Sequence, residues 1–150
     1  MRIISSILCM IFFITGCNQQ SNMKQQQAQS APKEAECLSY PTRYYGVEQT
    51  AKTLVEKING IDEAVVLMID DEMDVAVKVT NFDRFRLNPL RKEIYQKLTK
   101  AYPKKKIRAS TDSKIYSEFE KISQSPWPSD KQKACKQQTK LKDIEKKMKG

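Results

Sequence analysis

The chain has no histidine, only four glycines and a single tryptophan among its 150 residues, and each shortage closes off a class of chemistry. Without histidine, a catalytic triad loses its usual base near neutral pH and a zinc site its commonest ligand. Four glycines leave no room for a glycine-rich phosphate loop, and no Ser-x-x-Lys set stands together with its partner motifs. The one dense acidic cluster, Asp70, Asp71, Glu72 and Asp74, lacks the glycine and distal glutamate of a calcium loop and reads as a solvated hairpin turn. The residues carry no enzyme signature: a non-catalytic protein is expected, with no catalytic residue, metal site or cofactor. Long apolar runs are also missing, because the longest, Ile3 to Phe13, falls short of the roughly 20 residues that cross a bilayer.

That run follows Met1 and Arg2 and so has the form of a secretory signal. It ends in Ile14-Thr15-Gly16-Cys17, which resembles the lipobox of bacterial lipoproteins: an aliphatic residue, two small residues, then cysteine. The resemblance implies a diacylglyceryl group on the Cys17 sulfur. Ile14, Thr15 and Gly16 would be recognised by signal peptidase II, which cleaves before Cys17. The expected location is the extracytoplasmic face of a cell membrane, held by lipid. Removal of residues 1–16 takes away only Arg2, leaving 26 basic against 18 acidic side chains. Export argues against a nucleic-acid partner.

Of the four cysteines, Cys9 leaves with the signal and Cys17 is the anchor. Cys37 and Cys135 remain, and oxidising surroundings favour a disulfide between them. Such a bond would close a long loop, contributing about 4 kcal/mol in the chain-entropy account. Two free thiols in flexible segments are the alternative.

Residues 17–43 read as the lipidated cysteine and a flexible tether: six glutamines and no aliphatic cluster between 18 and 36 cannot offset the entropy of ordering. From Val47 the apolar spacing becomes helical through Ala51, Leu54, Val55 and Ile58, with Asn59-Gly60 as the stop. Two β-branched-rich runs, Ile61 to Ile69 and Met73 to Thr80, flank the acidic turn and predict an antiparallel hairpin. Alternation in the second run predicts one buried and one wetter face. Phe82 and Phe85 are expected to cover the core edge. Asn88-Pro89 offers a cap and a first-turn proline for a helix with Leu90, Ile94, Leu98 and Ala101 on its stripe. Lys106 to Ser110 is a short third strand. Thr111-Asp112-Ser113 caps a third helix that turns Ile115, Phe119 and Ile122 inward. The expected fold is α+β: a small three-stranded sheet with helices packed on it, in the order helix-strand-strand-helix-strand-helix over residues 44–122.

Residues 123–150 form a Pro/Trp segment and a lysine-rich tail, with Trp127 between Pro126 and Pro128 favoured as a cap on the core edge. The tail places Lys131, Lys133, Lys136, Lys140, Lys142, Lys146, Lys147 and Lys149 against three acidic residues. Leu141, Ile144 and Met148 give it a weak apolar stripe. Three readings stay open: an anionic membrane surface, an anionic cell-wall polymer or acidic protein partner, or a solvated end.

Taken together, several stretches resemble the YhcN/YlaJ family of sporulation lipoproteins. They are the lipobox at Cys17, Lys57-Ile58-Asn59-Gly60-Ile61, the strands Ala64 to Met68 and Val75 to Val79, the helix from Pro89, and Ile107 to Asp112. The resemblance implies a membrane-anchored lipoprotein of endospore formers, at the spore membrane, serving spore formation or germination through protein partners. It carries over no catalytic residue. A second resemblance, to ring-building modules of secretion and sporulation channels, implies a structural subunit instead.

Overall fold

The computed structural model describes residues 37–148. Helix α1 spans Tyr45–Glu56, strands β1 and β2 span Ile61–Ile69 and Glu72–Val79, and a short 3-10 helix, Asn81–Arg86, leads into α2, Leu87–Ala101. Strand β3 is Lys106–Ser110, followed by α3, Ser113–Ser123, and α4, Lys131–Lys147. The expected α+β order holds through α3, and α4 adds a fourth helix.

The sheet runs β1-β2-β3, with β1 and β2 antiparallel and β2 and β3 parallel. Antiparallel pairing needs only the Asp70-Asp71 turn, where Asp70 takes φ +54°, a left-handed conformation that aspartate tolerates better than most side chains. Parallel pairing needs a crossover, which the 3-10 helix and α2 supply. The stop after α1 depends on Gly60 at φ +97°, where an added Cβ would sit 2.8 Å from Asp83 Cγ. A glycine is therefore required there for backbone and space alike.

Side chains alternate across a strand, so the core divides in two. On one face Ala64, Val66, Met68, Met73, Val75, Val77 and Ile107 meet Ala51, Val55 and Ile58 together with Leu90, Ile94 and Leu98 of α2. On the other, Val65, Leu67, Ile69 and Ala76 meet Ile115, Tyr116, Phe119 and Ile122 of α3 and Leu141 and Ile144 of α4. The expectation of a wetter face on β2 is therefore corrected in part: helices cover both faces and bury Ala76 and Asp74, while Lys78 and Thr80 at the end of the run stay partly exposed. The unbroken apolar run Ala64 to Ile69 has this cause, since a strand covered on both sides has no polar face to alternate with.

Boundaries shift for local reasons. Helix α2 starts at Leu87 with no side-chain cap, because the preceding 3-10 helix delivers the chain already turning. The expected Asn88 cap is not made, and Asn88 Oδ1 instead accepts from Arg91 at 3.2 Å. Asp112 caps α3 as read, its Oδ1 accepting from the backbone N–H groups of Lys114 at 2.7 Å and Ile115 at 3.2 Å. The segment after Ile122 continues the folded unit. Trp127 packs at the edge of the second core and its Nε1 donates to the Pro41 carbonyl at 2.8 Å. Asp130 caps α4 by accepting from Lys133 N–H at 2.9 Å.

Candidate functional site

Ile14, Thr15, Gly16 and Cys17, together with Lys149, lie outside the described residues. Cys37 and Cys135 are joined by a disulfide, with Cα atoms 5.8 Å apart. It ties the segment before α1 to the first turns of α4.

The tail is corrected most. Leu141 and Ile144 are buried against the sheet and Met148 packs beside them, so the apolar stripe faces the protein core and neither a membrane nor solvent. What α4 turns outward is charge. Lys133, Lys136, Lys140 and Lys142 are exposed and make no ion pair among the described residues, whereas Lys146 pairs with Asp143 and Lys147 with Glu118. Lys131 donates to the Leu38 carbonyl at 3.2 Å.

Under α4 lies an ionic cluster that sequence reasoning missed. Arg108 of β3 donates Nε to Asp74 Oδ1 at 2.6 Å, and its Nη2 lies 3.0 Å from Glu72 Oε2 and 2.7 Å from Glu145 Oε1 of α4. Three carboxylates thus share one guanidinium. Burial raises Asp74 to about 7, helped by the Glu145 charge and opposed by Arg108, as expected where carboxylates outnumber cations in a low-dielectric site. For Arg108 burial alone would lower the pKa, but the bond and charge of Asp74 hold it above its ordinary value. Asp74 therefore departs from the solvated hairpin turn expected of the acidic cluster: Asp70 and Asp71 occupy the turn, and Asp74 is buried on β2. No group of three or more acidic or cysteine side chains among the described residues could hold a metal ion. A cleft of about 570 Å³ opens beside Arg108, with Asn88, Arg91, Lys92 and Tyr95 of α2 on its wall.

A second knot closes the β1 edge. Arg43 pairs with Ile69 in an isolated antiparallel bridge, and Tyr44 N–H donates to the Met68 carbonyl at 2.9 Å. The Arg43 side chain is 2% exposed and donates from Nε and Nη2 to both oxygens of Glu48, at 2.8 and 2.9 Å. Its Nη1 donates to the carbonyls of Ile122 and Ser125 at the end of α3, each at 3.3 Å. Glu48 in turn accepts from Met68 N–H at 2.9 Å. The short segment at residues 42–44 thereby pairs with the Met68–Asp70 end of the β1 edge, whose backbone groups would otherwise be unpaired. Nothing in the sequence distinguishes Arg43 from the other arginines.

Phe82 and Phe85 reverse the expectation that they cover the core edge: they are 88% and 84% exposed. The 3-10 helix buries none of its residues, and leaving a phenylalanine in water forgoes about 1.5–3 kcal/mol. The signal was available in the sequence, since Asn81-Phe82-Asp83-Arg84-Phe85-Arg86 surrounds each ring with polar neighbours.

The remaining basic surfaces are partly engaged. Arg86 pairs with Asp83 at 2.9 Å and Lys106 with Asp71 at 3.3 Å, while Lys105 donates to the Asp70 carbonyl at 3.1 Å. Arg84, Arg91 and Lys92 make no ion pair among the described residues, and Lys104 is exposed.

Among the described residues, no helix is long and apolar enough to cross a membrane. Comparison with curated proteins found no match, and comparison with solved structures found none either. A family model described as Sporulation lipoprotein YhcN/YlaJ matches residues 15–139, which takes in Cys17 and most of the folded unit. The chain belongs to the YhcN/YlaJ family of sporulation lipoproteins.

Proposed function

We propose that this protein is a non-catalytic binding module held at the spore membrane surface by lipid on Cys17, acting in spore formation or germination through a protein partner. The observation that carries the reading is the extent of the family match: it begins at residue 15 and so includes Thr15-Gly16-Cys17 as well as the fold. The family is one of sporulation lipoproteins and is not a known enzyme family.

In this reading residues 18–36 are the spacer between lipid and folded unit. The solvent face of α4, with Lys133, Lys136 and Lys140 at successive spacings of three and four positions, is the surface offered to an acidic partner. Its charge stays available because the helix is held by Leu141 and Ile144 on its opposite side. Long-range attraction between such a face and an acidic protein raises the encounter rate and falls with salt.

Metabolic labelling with palmitate in a spore-forming host tests the anchor. The wild-type chain incorporates label and is shortened by signal peptidase II, and Cys17→Ala abolishes both; efficient processing of that variant would overturn the anchor. Deletion tests the role: altered sporulation yield or altered germinant-triggered loss of refractility is expected, and unchanged kinetics of both would count against it.

A further inference from the structure

We propose that the 3-10 helix Asn81–Arg86 is a bilayer-docking tip, inserting Phe82 and Phe85 at the headgroup boundary of an anionic membrane. The proposal rests on the reading that Cys17 is lipidated, which makes the membrane the surface always nearest to the folded unit.

The geometry comes first. In a 3-10 helix residues i and i+3 eclipse one another, so Phe82 and Phe85 project the same way. Both rings are almost wholly exposed, and Leu87, at the start of α2, adds a third partly exposed apolar side chain. The surroundings are cationic: between residues 81 and 92 four basic residues face a single acidic one, Asp83. Asp83 is already occupied, accepting from Thr80 Oγ1 at 2.8 Å and from Arg86 at 2.9 Å. Arg84, Arg91 and Lys92 make no ion pair among the described residues. Exposed rings flanking the unpaired Arg84 suit an anionic headgroup layer, where the rings enter the acyl boundary and the cation stays among phosphates.

Reach is sufficient. Nineteen residues separate Cys17 from Cys37, and at about 3.3–3.6 Å each they span at most about 60–70 Å. A folded unit of this size is only about 35 Å across, so the spacer lets any side of it meet the bilayer. Helix α4 is the weaker candidate for this contact, because its apolar residues are buried in the second core and it offers charge without an inserting group.

The test uses the chain from residue 17 carrying Cys17→Ser, which keeps every residue of the described fold and removes the lipid. Co-sedimentation is measured with vesicles of phosphatidylglycerol mixed into phosphatidylcholine, and with phosphatidylcholine alone. Binding is expected to the anionic vesicles, to weaken with added salt, and to fall by about tenfold or more in the Phe82→Ala/Phe85→Ala variant. Phe82→Leu/Phe85→Leu is expected to retain most of it. Unchanged circular dichroism and thermal midpoint confirm that the exposed rings leave folding intact. Four outcomes overturn the proposal: no vesicle binding, binding indifferent to both rings, binding lost instead on Lys133→Gln/Lys140→Gln in α4, or a ring-dependent dimer that ignores vesicles. Because no lipid is present on the protein in this assay, its failure is separate from a failure of Cys17 labelling.

Discussion

Arg43 shows how much one side chain can carry when it is buried with all of its hydrogen bonds made. It joins α1 through Glu48, the end of α3 through two carbonyls and the β1 edge through its own backbone. Removing one partner of a buried pair strands the other charge, so Arg43→Ala is expected to lower unfolding free energy by about 3–5 kcal/mol in chemical denaturation. A loss under about 1 kcal/mol would mean that the pair is dispensable, as surface pairs usually are. Asp74 makes a different kind of prediction. Its pKa in the fold, about 7, lies above the ordinary 3.8. A raised value means that the folded state holds the proton more tightly, so the stability from this group is full below about pH 4 and is lost as pH rises through about 7. The melting temperature of the wild-type protein relative to Asp74→Asn should therefore decline between pH 5 and 8. A difference that stays level across that range would remove the raised Asp74 pKa from the account.

At the scale of elements, α4 is the piece whose character changed most between sequence and structure. Its lysines dominate its composition, yet its position is set by three apolar side chains spaced at 141, 144 and 148 and by Glu145 reaching Arg108. Leu141→Ala is expected to cost about 2–5 kcal/mol by denaturant unfolding. Lys140→Gln, on the opposite side, should stay within about 0.5 kcal/mol. Equal and small effects from both would show that α4 is not part of the cooperative unit. The strands and the first three helices were legible because their signals are local. Alternating β-branched residues mark β2, Gly60 marks the stop after α1, and Asp112 marks the start of α3. A weak stripe under a dense charge run is not legible in that way, since charge patterning alone describes a solvated end equally well.

For the whole molecule, the disulfide between Cys37 and Cys135 joins positions 98 apart in sequence, linking the segment before α1 to the first turns of α4. Thiol labelling of the oxidised, unlipidated chain should detect no free thiol at either position. Reduction should lower stability by about 2–5 kcal/mol, mostly by freeing the unfolded chain. Two labelled cysteines without denaturant would take the bond out of the description. Among the described residues, the lysine face of α4, the cleft beside Arg108 and the 3-10 tip are surfaces that carry basic side chains.

Class and element order follow from residue patterns alone, and the expectation of an anchor at Cys17 is drawn from them as well. The lipobox resemblance at Cys17, the family likeness and the α+β order rest on short-range spacing, which a chain displays whether or not it is folded. Tertiary structure decided the rest: a sheet covered on both faces, three carboxylates gathered on Arg108, Arg43 turned into a buried clamp and two phenylalanines left in water. These depend on which distant segments meet. Asp74 and Glu145 lie 71 positions apart in sequence and become neighbours only when α4 folds back over β2, because only then do Leu141 and Ile144 find apolar surface to cover.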